Sequence, residues 1–130
     1  MVICIWYISF HSILLIDITQ PHSYLQCENT SVTATPVSCS IEFSEEVEDV
    51  TKNCIDISKD ARITSFRQTH NPLVYSFYVE SEEDGDVTLY VKDNQVKDHC
   101  GNWNSRSNFI TIHIGKFFYL DSFICRFCYF

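Results

Sequence analysis

From Val37 to Val47 the chain alternates without a break, with Val37, Cys39, Ile41 and Phe43 on one side and Ser38, Ser40, Glu42 and Ser44 on the other. Successive side chains of extended chain point to opposite faces, so this spacing predicts a strand with one dry and one wet face. Glu45 and Glu46 then end the dry face. The same alternation recurs downstream. Leu73, Tyr75, Phe77 and Val79 oppose Val74, Ser76, Tyr78 and Glu80. Val87, Leu89 and Val91 oppose Thr88, Tyr90 and Lys92, and Ile110, Ile112 and Ile114 leave Thr111 and His113 outward. Ser23 to Cys27 makes a first strand with Leu25 and Cys27 inward, and Cys54 to Ser58 a short one with Ile55 and Ile57 inward. From Ala61 to Arg67, Ile63 and Phe66 stand three apart, which predicts a bulge.

Turn chemistry separates these runs. Glu28 to Pro36 is polar and ends in proline, Asn71-Pro72 is a turn, and Asp84-Gly85 supplies positive φ for a tight connection. Val96 resumes an inward position, and Lys97 to Arg106 is a loop. About seven short strands, with turn signals every 8–12 residues or so and no amphipathic helix, predict an all-β protein: an antiparallel β-sandwich.

The pattern sets the domain boundaries. Residues 1–16 are mostly apolar, broken by Ser9, His11 and Ser12. They are shorter than the roughly 20 residues of a membrane span. They resemble the apolar part of a signal peptide, with neither Lys nor Arg before it nor a small-x-small site after it. The segment reads as a signal or anchor, as an extra strand-like or helical piece, or as a gene-prediction artefact. Residues 17–115 form the domain, led in by a linker from Asp17 to Pro21. Residues 116–130 are aromatic and Cys-rich without alternation, and read as a flank.

Composition narrows the function. The 130 residues suffice for one domain with a core. The net charge of −8 repels phosphate backbones and anionic lipid, so nucleic acid is excluded as a partner. Membrane contact is left to the N-terminal segment. Of seven cysteines, Cys27, Cys39, Cys54 and Cys100 are dispersed through the domain, which suits an oxidising compartment. Cys27 and Cys39 flank the 28–36 turn, so they can face each other across an antiparallel pair. Asn29-Thr30-Ser31 is a glycosylation sequon.

Several pieces, in order, resemble the bacterial Ig-like domains found in tandem in large surface adhesins and other extracellular proteins. They are Asp17-Ile18-Thr19-Gln20-Pro21, Ile41-Glu42-Phe43-Ser44-Glu45-Glu46-Val47, Ile55-Asp56-Ile57 and Ile63-Thr64-Ser65-Phe66. Tyr75-Ser76-Phe77-Tyr78-Val79, Asp84-Gly85-Asp86-Val87-Thr88-Leu89 and Asp98-His99-Cys100-Gly101-Asn102-Trp103-Asn104 follow. The resemblance covers roughly Asp17 to Ile114 and implies an Ig-like sandwich acting as a non-catalytic spacer, stalk or adhesion unit. The cysteines depart from the bacterial pattern and point to a eukaryotic or otherwise secreted relative. In a sandwich of this type the regions of Cys54 and Cys100 share an end, which implies a second bridge, although four cysteines allow three connectivities.

Calcium needs six to eight oxygens at one place. Glu45 from one loop, with Asp98 and Asn102 from another, are candidate ligands at one end of the sandwich, with Asp56 or Asp49 as additions. Related adhesin modules use calcium to stiffen inter-domain joints. The alternative is structural: Asp98 and Asn102 hold a tight loop, with Gly101 in an unusual dihedral. Cys125-Arg126-Phe127-Cys128 is half a zinc site without a second pair, His99 beside Cys100 being insufficient. Asp98, His99 and Cys100 are neighbours in sequence, which does not make a catalytic relay. Tyr78, Tyr90, Trp103 and Phe109 fall on outward or loop positions and read as cross-strand pairs or, if clustered, as a contact surface. The sequence thus predicts a non-enzymatic extracellular or cell-surface module whose partners are neighbouring Ig-like domains or other extracellular proteins. The alternative is a calcium-binding domain with acidic loops.

Overall fold

A computed structural model describes residues 17–58 and 60–115 in full, and the backbone alone of 117–120 and 123–126. The N-terminal segment 1–16 and the side chains of Cys125 and Cys128 lie outside the described residues.

Two four-stranded sheets face each other. In the first, β1 (Ser23–Cys27), β3 (Val37–Phe43), β7 (Val74–Ser81) and β6 (Ala61–Gln68) lie in the order β1-β3-β7-β6, all antiparallel. In the second, β2 (Ser31–Val32), β10 (Ile110–Ile114), β8 (Gly85–Val91) and β5 (Ile55–Ile57) lie in the order β2-β10-β8-β5. Only β2 with β10 is parallel. A further ladder joins β4 (Val47–Glu48) to β9 (Lys97–Asp98), and β11 (Phe117–Leu120) pairs with β12 (Phe123–Arg126). Among the described residues there is no α-helix, only a 3-10 turn at Lys52–Cys54, and no helix long and apolar enough to cross a membrane.

The expected sandwich is present, with ten strands up to Ile114 rather than about seven. The three additions, β2, β4 and β9, have two residues each. A strand that short carries no period-two signature, so alternation cannot reveal it. The alternating residues do line the core: Leu25, Ile41, Val79, Leu89, Val91 and Ile112 are each 0% exposed. Phe43 meets Tyr75 edge-on at 5.8 Å, and Phe66 stacks on Tyr75 and Phe77. The bulge expected in β6 lies between Thr64 and Arg67, with Ser65 at φ 52°.

The registers fix how the chain runs. Ser23 pairs with Phe43 at one end, beside His22 and Ser44, which exchange two hydrogen bonds. Val37 pairs with Val79 at the other end, and β10 closes there with Ile114 opposite Gly85. The chain therefore enters the sandwich at one end and leaves it at the other. Gly85, at φ 143°, takes the positive φ expected of the Asp84-Gly85 connection.

Candidate metal centre

The short ladder between β4 and β9 builds the most chemically loaded site. Val47 pairs with Asp98, which carries the loop before β4 up against the turn after β9. Asp98 is 2% exposed. One of its oxygens accepts the backbone N–H of Cys100 and of Asn102, each at 2.8 Å, and the other accepts Asn102 Nδ2 at 3.0 Å. Gly101 turns the chain at φ 84°. This is the tight, aspartate-held loop named above as the structural alternative.

Asn102 is not turned as a ligand. Its Nδ2 donates both to Asp98 and to the backbone carbonyl of Asp17 at 2.8 Å, so the amide's nitrogen, not its oxygen, faces the acids. The residue that joins Asp98 instead is Asp17, which the ligand prediction had left out. Oxygens of Asp17 and Asp98 lie within 4.8 Å of one another, and Asp17 Oδ2 is buried with no hydrogen-bond partner. Glu45 is within hydrogen-bonding reach of Asp98 and feels the charge of Asp17. The Asp17 and Asp98 carboxylates therefore meet where the chain enters the sandwich, with Glu45 near enough to feel both charges. Of the additions considered, Asp56 lies on the outer face of β5 against Tyr90, and Asp49 is exposed in a left-handed turn after β4.

Burial pushes Asp98 up, but hydrogen bonds from the Asn102 amide and the two backbone N–H groups outweigh it, and its pKa falls below the ordinary aspartate range. Glu45 moves the other way. Burial raises it first, then the charges of Asp98 and Asp17, with His22 offsetting part. Donors hold Asp98 ionised while Glu45 bears the cost of like charge.

The carboxylates are of the kind a hard cation takes: the orphaned buried Asp17 oxygen lies against Asp98, with Glu45 beside them, and all offer oxygen donors. The Cys100 sulfur is adjacent, but it is disulfide-bonded and offers no thiolate.

The other predicted residues separate. Cys27 and Cys39 are bonded across β1 and β3, where they are register partners. The implied Cys54–Cys100 bridge is not formed. Cys54 is a free thiol packed into the core at 3% exposure, whereas Cys100 sits in the turn after β9. Burial pushes the Cys54 thiol up to about 11. The His99 ring is taken up by two glutamates. Its Nδ1 meets Glu48 at 2.9 Å and its Nε2 meets Glu46 at 3.5 Å, and these two hydrogen bonds raise its pKa. Asp98, His99 and Cys100 therefore share no relay. Asn29 is exposed at the far end, with Oδ1 accepting the N–H of Ser31.

Sequence reasoning missed Asn104, which is fully buried. Its Oδ1 accepts the N–H groups of Gln95 and Val96, and its Nδ2 donates to the carbonyls of Lys92 and Ser105. It also missed Asn108, whose amide donates to Leu25 O and accepts Leu25 N–H, pairing the edge of β1 like another strand. An asparagine in a polar loop carries no signal for either role.

Comparison of the chain with protein-family models, curated proteins and solved structures finds no match.

Proposed function

We propose that this chain carries a non-catalytic extracellular Ig-like module that serves as a spacer or adhesion unit in a larger surface or secreted protein. The observation that carries the reading is the path of the chain: in at the Ser23–Phe43 end, out at the Ile114–Gly85 end. That geometry lets modules join end to end without doubling back. With the two-residue edge strand β2 set aside, the order β1-β3-β7-β6 against β10-β8-β5 supports it, because that is the four-plus-three layout of Ig constant-type sandwiches. The Cys27–Cys39 disulfide fits an oxidising compartment, and exposed Asn29 is the glycan acceptor in that setting. Partners are neighbouring domains of the same kind or other extracellular proteins. Three copies of residues 17–115 joined in tandem should scatter as a rod whose maximum dimension grows in even steps with copy number. A compact particle would overturn the spacer reading.

A second reading rests on the orphaned Asp17 oxygen: the Asp17, Glu45 and Asp98 carboxylates hold calcium. Asp17 and Glu45 would bind it from the leading segment and the loop before β4, and Asp98 from the turn after β9. The ion would supply positive charge that ties these segments together. Calorimetric titration of the whole chain should show one binding event that Glu45→Gln abolishes. A flat titration, with no rise in melting temperature over chelator, removes the reading.

A further inference from the structure

Cys100 is disulfide-bonded, and the chain itself limits its partner. Of the seven cysteines, Cys27 and Cys39 take up each other and Cys54 is a free thiol. Cys4, Cys125 and Cys128 are left. A disulfide brings its two Cα atoms within about 7 Å, so the path of the chain decides among them.

Cys100 belongs to the end where the chain enters. Its sulfur lies within 4.8 Å of carboxylate oxygens of Asp17 and Asp98. Beside it the Asn102 amide donates to the Asp17 carbonyl at 2.8 Å and pins the leading strand of chain to this turn. Cys4 lies only about a dozen residues before Asp17, a short loop to close once Asp17 is pinned. Cys125 and Cys128 follow the other end. Gly115 is fixed there by its N–H, which donates to the Val32 carbonyl. The β11–β12 ladder then turns the chain back, with Cys125 opposite Phe118 and Arg126 opposite Phe117. That hairpin holds Cys125 by the exit and leaves Cys128 only two residues to travel. The seven residues of β8 alone put about 20 Å between Gly85, at that end, and Val91, and Cys100 lies further on, past β9.

We infer that Cys100 is disulfide-bonded to Cys4. The bond straps the leading segment to the turn after β9 and closes nearly the whole domain into one covalent loop. The segment that carries Cys4 then belongs to the folded protein, tied down beside the Asp17 and Asp98 carboxylates. Forming the bond takes two protons and two electrons from the two thiols, and a protein or small-molecule disulfide of an oxidising compartment accepts them by exchange.

Peptide mapping of the oxidised full chain tests it. Cleavage before each aspartate, without reduction, parts the cysteines cleanly: 1–16 carries Cys4, 17–48 carries Cys27 and Cys39, 98–120 carries Cys100, and 121–130 carries Cys125 and Cys128. Peptide 98–120 should be recovered joined to 1–16 and should part from it on reduction. Cys4→Ser and Cys100→Ser should each lower the melting temperature by several degrees, and the double variant by no more than either alone, because both remove the same bond. Peptide 98–120 joined to any other peptide, or recovered with a free thiol, overturns the inference. So do two single variants whose losses add. The map needs only the unaltered chain, so it decides the question even where a variant fails to fold.

Discussion

Glu45 and Asp98 share one carboxylate cluster yet answer acid in opposite directions. The folded-state pKa of Glu45 is raised, so its ionised form costs stability at neutral pH, and that cost is relieved as pH falls through the raised value. The folded-state pKa of Asp98 is depressed, so its contribution is present above the ordinary aspartate value and lost as pH falls through the depressed one. His99, also raised, contributes stability below about 6.5 that is lost as pH climbs through its folded value. In chelator, stability should therefore peak on the acid side of neutral. Glu45→Gln should raise the melting temperature at pH 7 and flatten the part of the acid-side rise due to Glu45, leaving the His99 part. A lower melting temperature at pH 7 would mean that the ionised Glu45 is stabilising. Cys54 makes a second residue-scale prediction. Burial holds the thiol protonated at neutral pH, and the thiolate is the reactive form. Alkylation should modify Cys54 only after unfolding and leave Cys27, Cys39 and Cys100 blocked until reduction. Peptide mapping that finds Cys54 labelled in the native protein would sink this.

Elements here are joined as much by side chains as by ladders. The strand β8 leaves the sheet at Val91, and the loop to β9 turns back on Asn104, whose four hydrogen bonds satisfy backbone groups from Lys92 to Ser105. Truncating it leaves several buried partners unsatisfied, each costing roughly 1–3 kcal/mol. With partial rescue by water, Asn104→Ala should lose about 2–4 kcal/mol in urea unfolding. A loss under 1 kcal/mol, roughly the size of ordinary surface changes, would show that the loop holds itself without the amide. The β4–β9 ladder is a two-residue element with a larger consequence, because it brings the loop carrying Glu45 up to Asp98.

Across the whole molecule, 17 acidic side chains face nine Lys and Arg. The ion pairs of Arg62 with Glu80 and Glu82 are exposed, and such pairs contribute little. Repulsion among the excess acids should then dominate the response to salt. The melting temperature should rise by a few degrees between low and moderate ionic strength, equally in sodium and tetramethylammonium chloride. On the calcium reading, the ion should act at far lower concentration than such screening. A melting temperature that falls with added salt would mean that attractive pairs outweigh the net charge.

Alternation along the chain determined the two-layer fold, the inward residues of the seven longer strands, the bulge in β6 and the strand pair that brings Cys27 to Cys39. Each is a local consequence of side-chain period, turn chemistry or proximity along the chain. Tertiary structure alone decided which acids meet. Asp17 and Asp98 are joined through space, Asn102 is spent as a donor between them, and Cys54 turns into the core instead of toward Cys100. A side chain's neighbours at long range depend on how the layers stack and on which way a turn faces, and period-two spacing encodes neither.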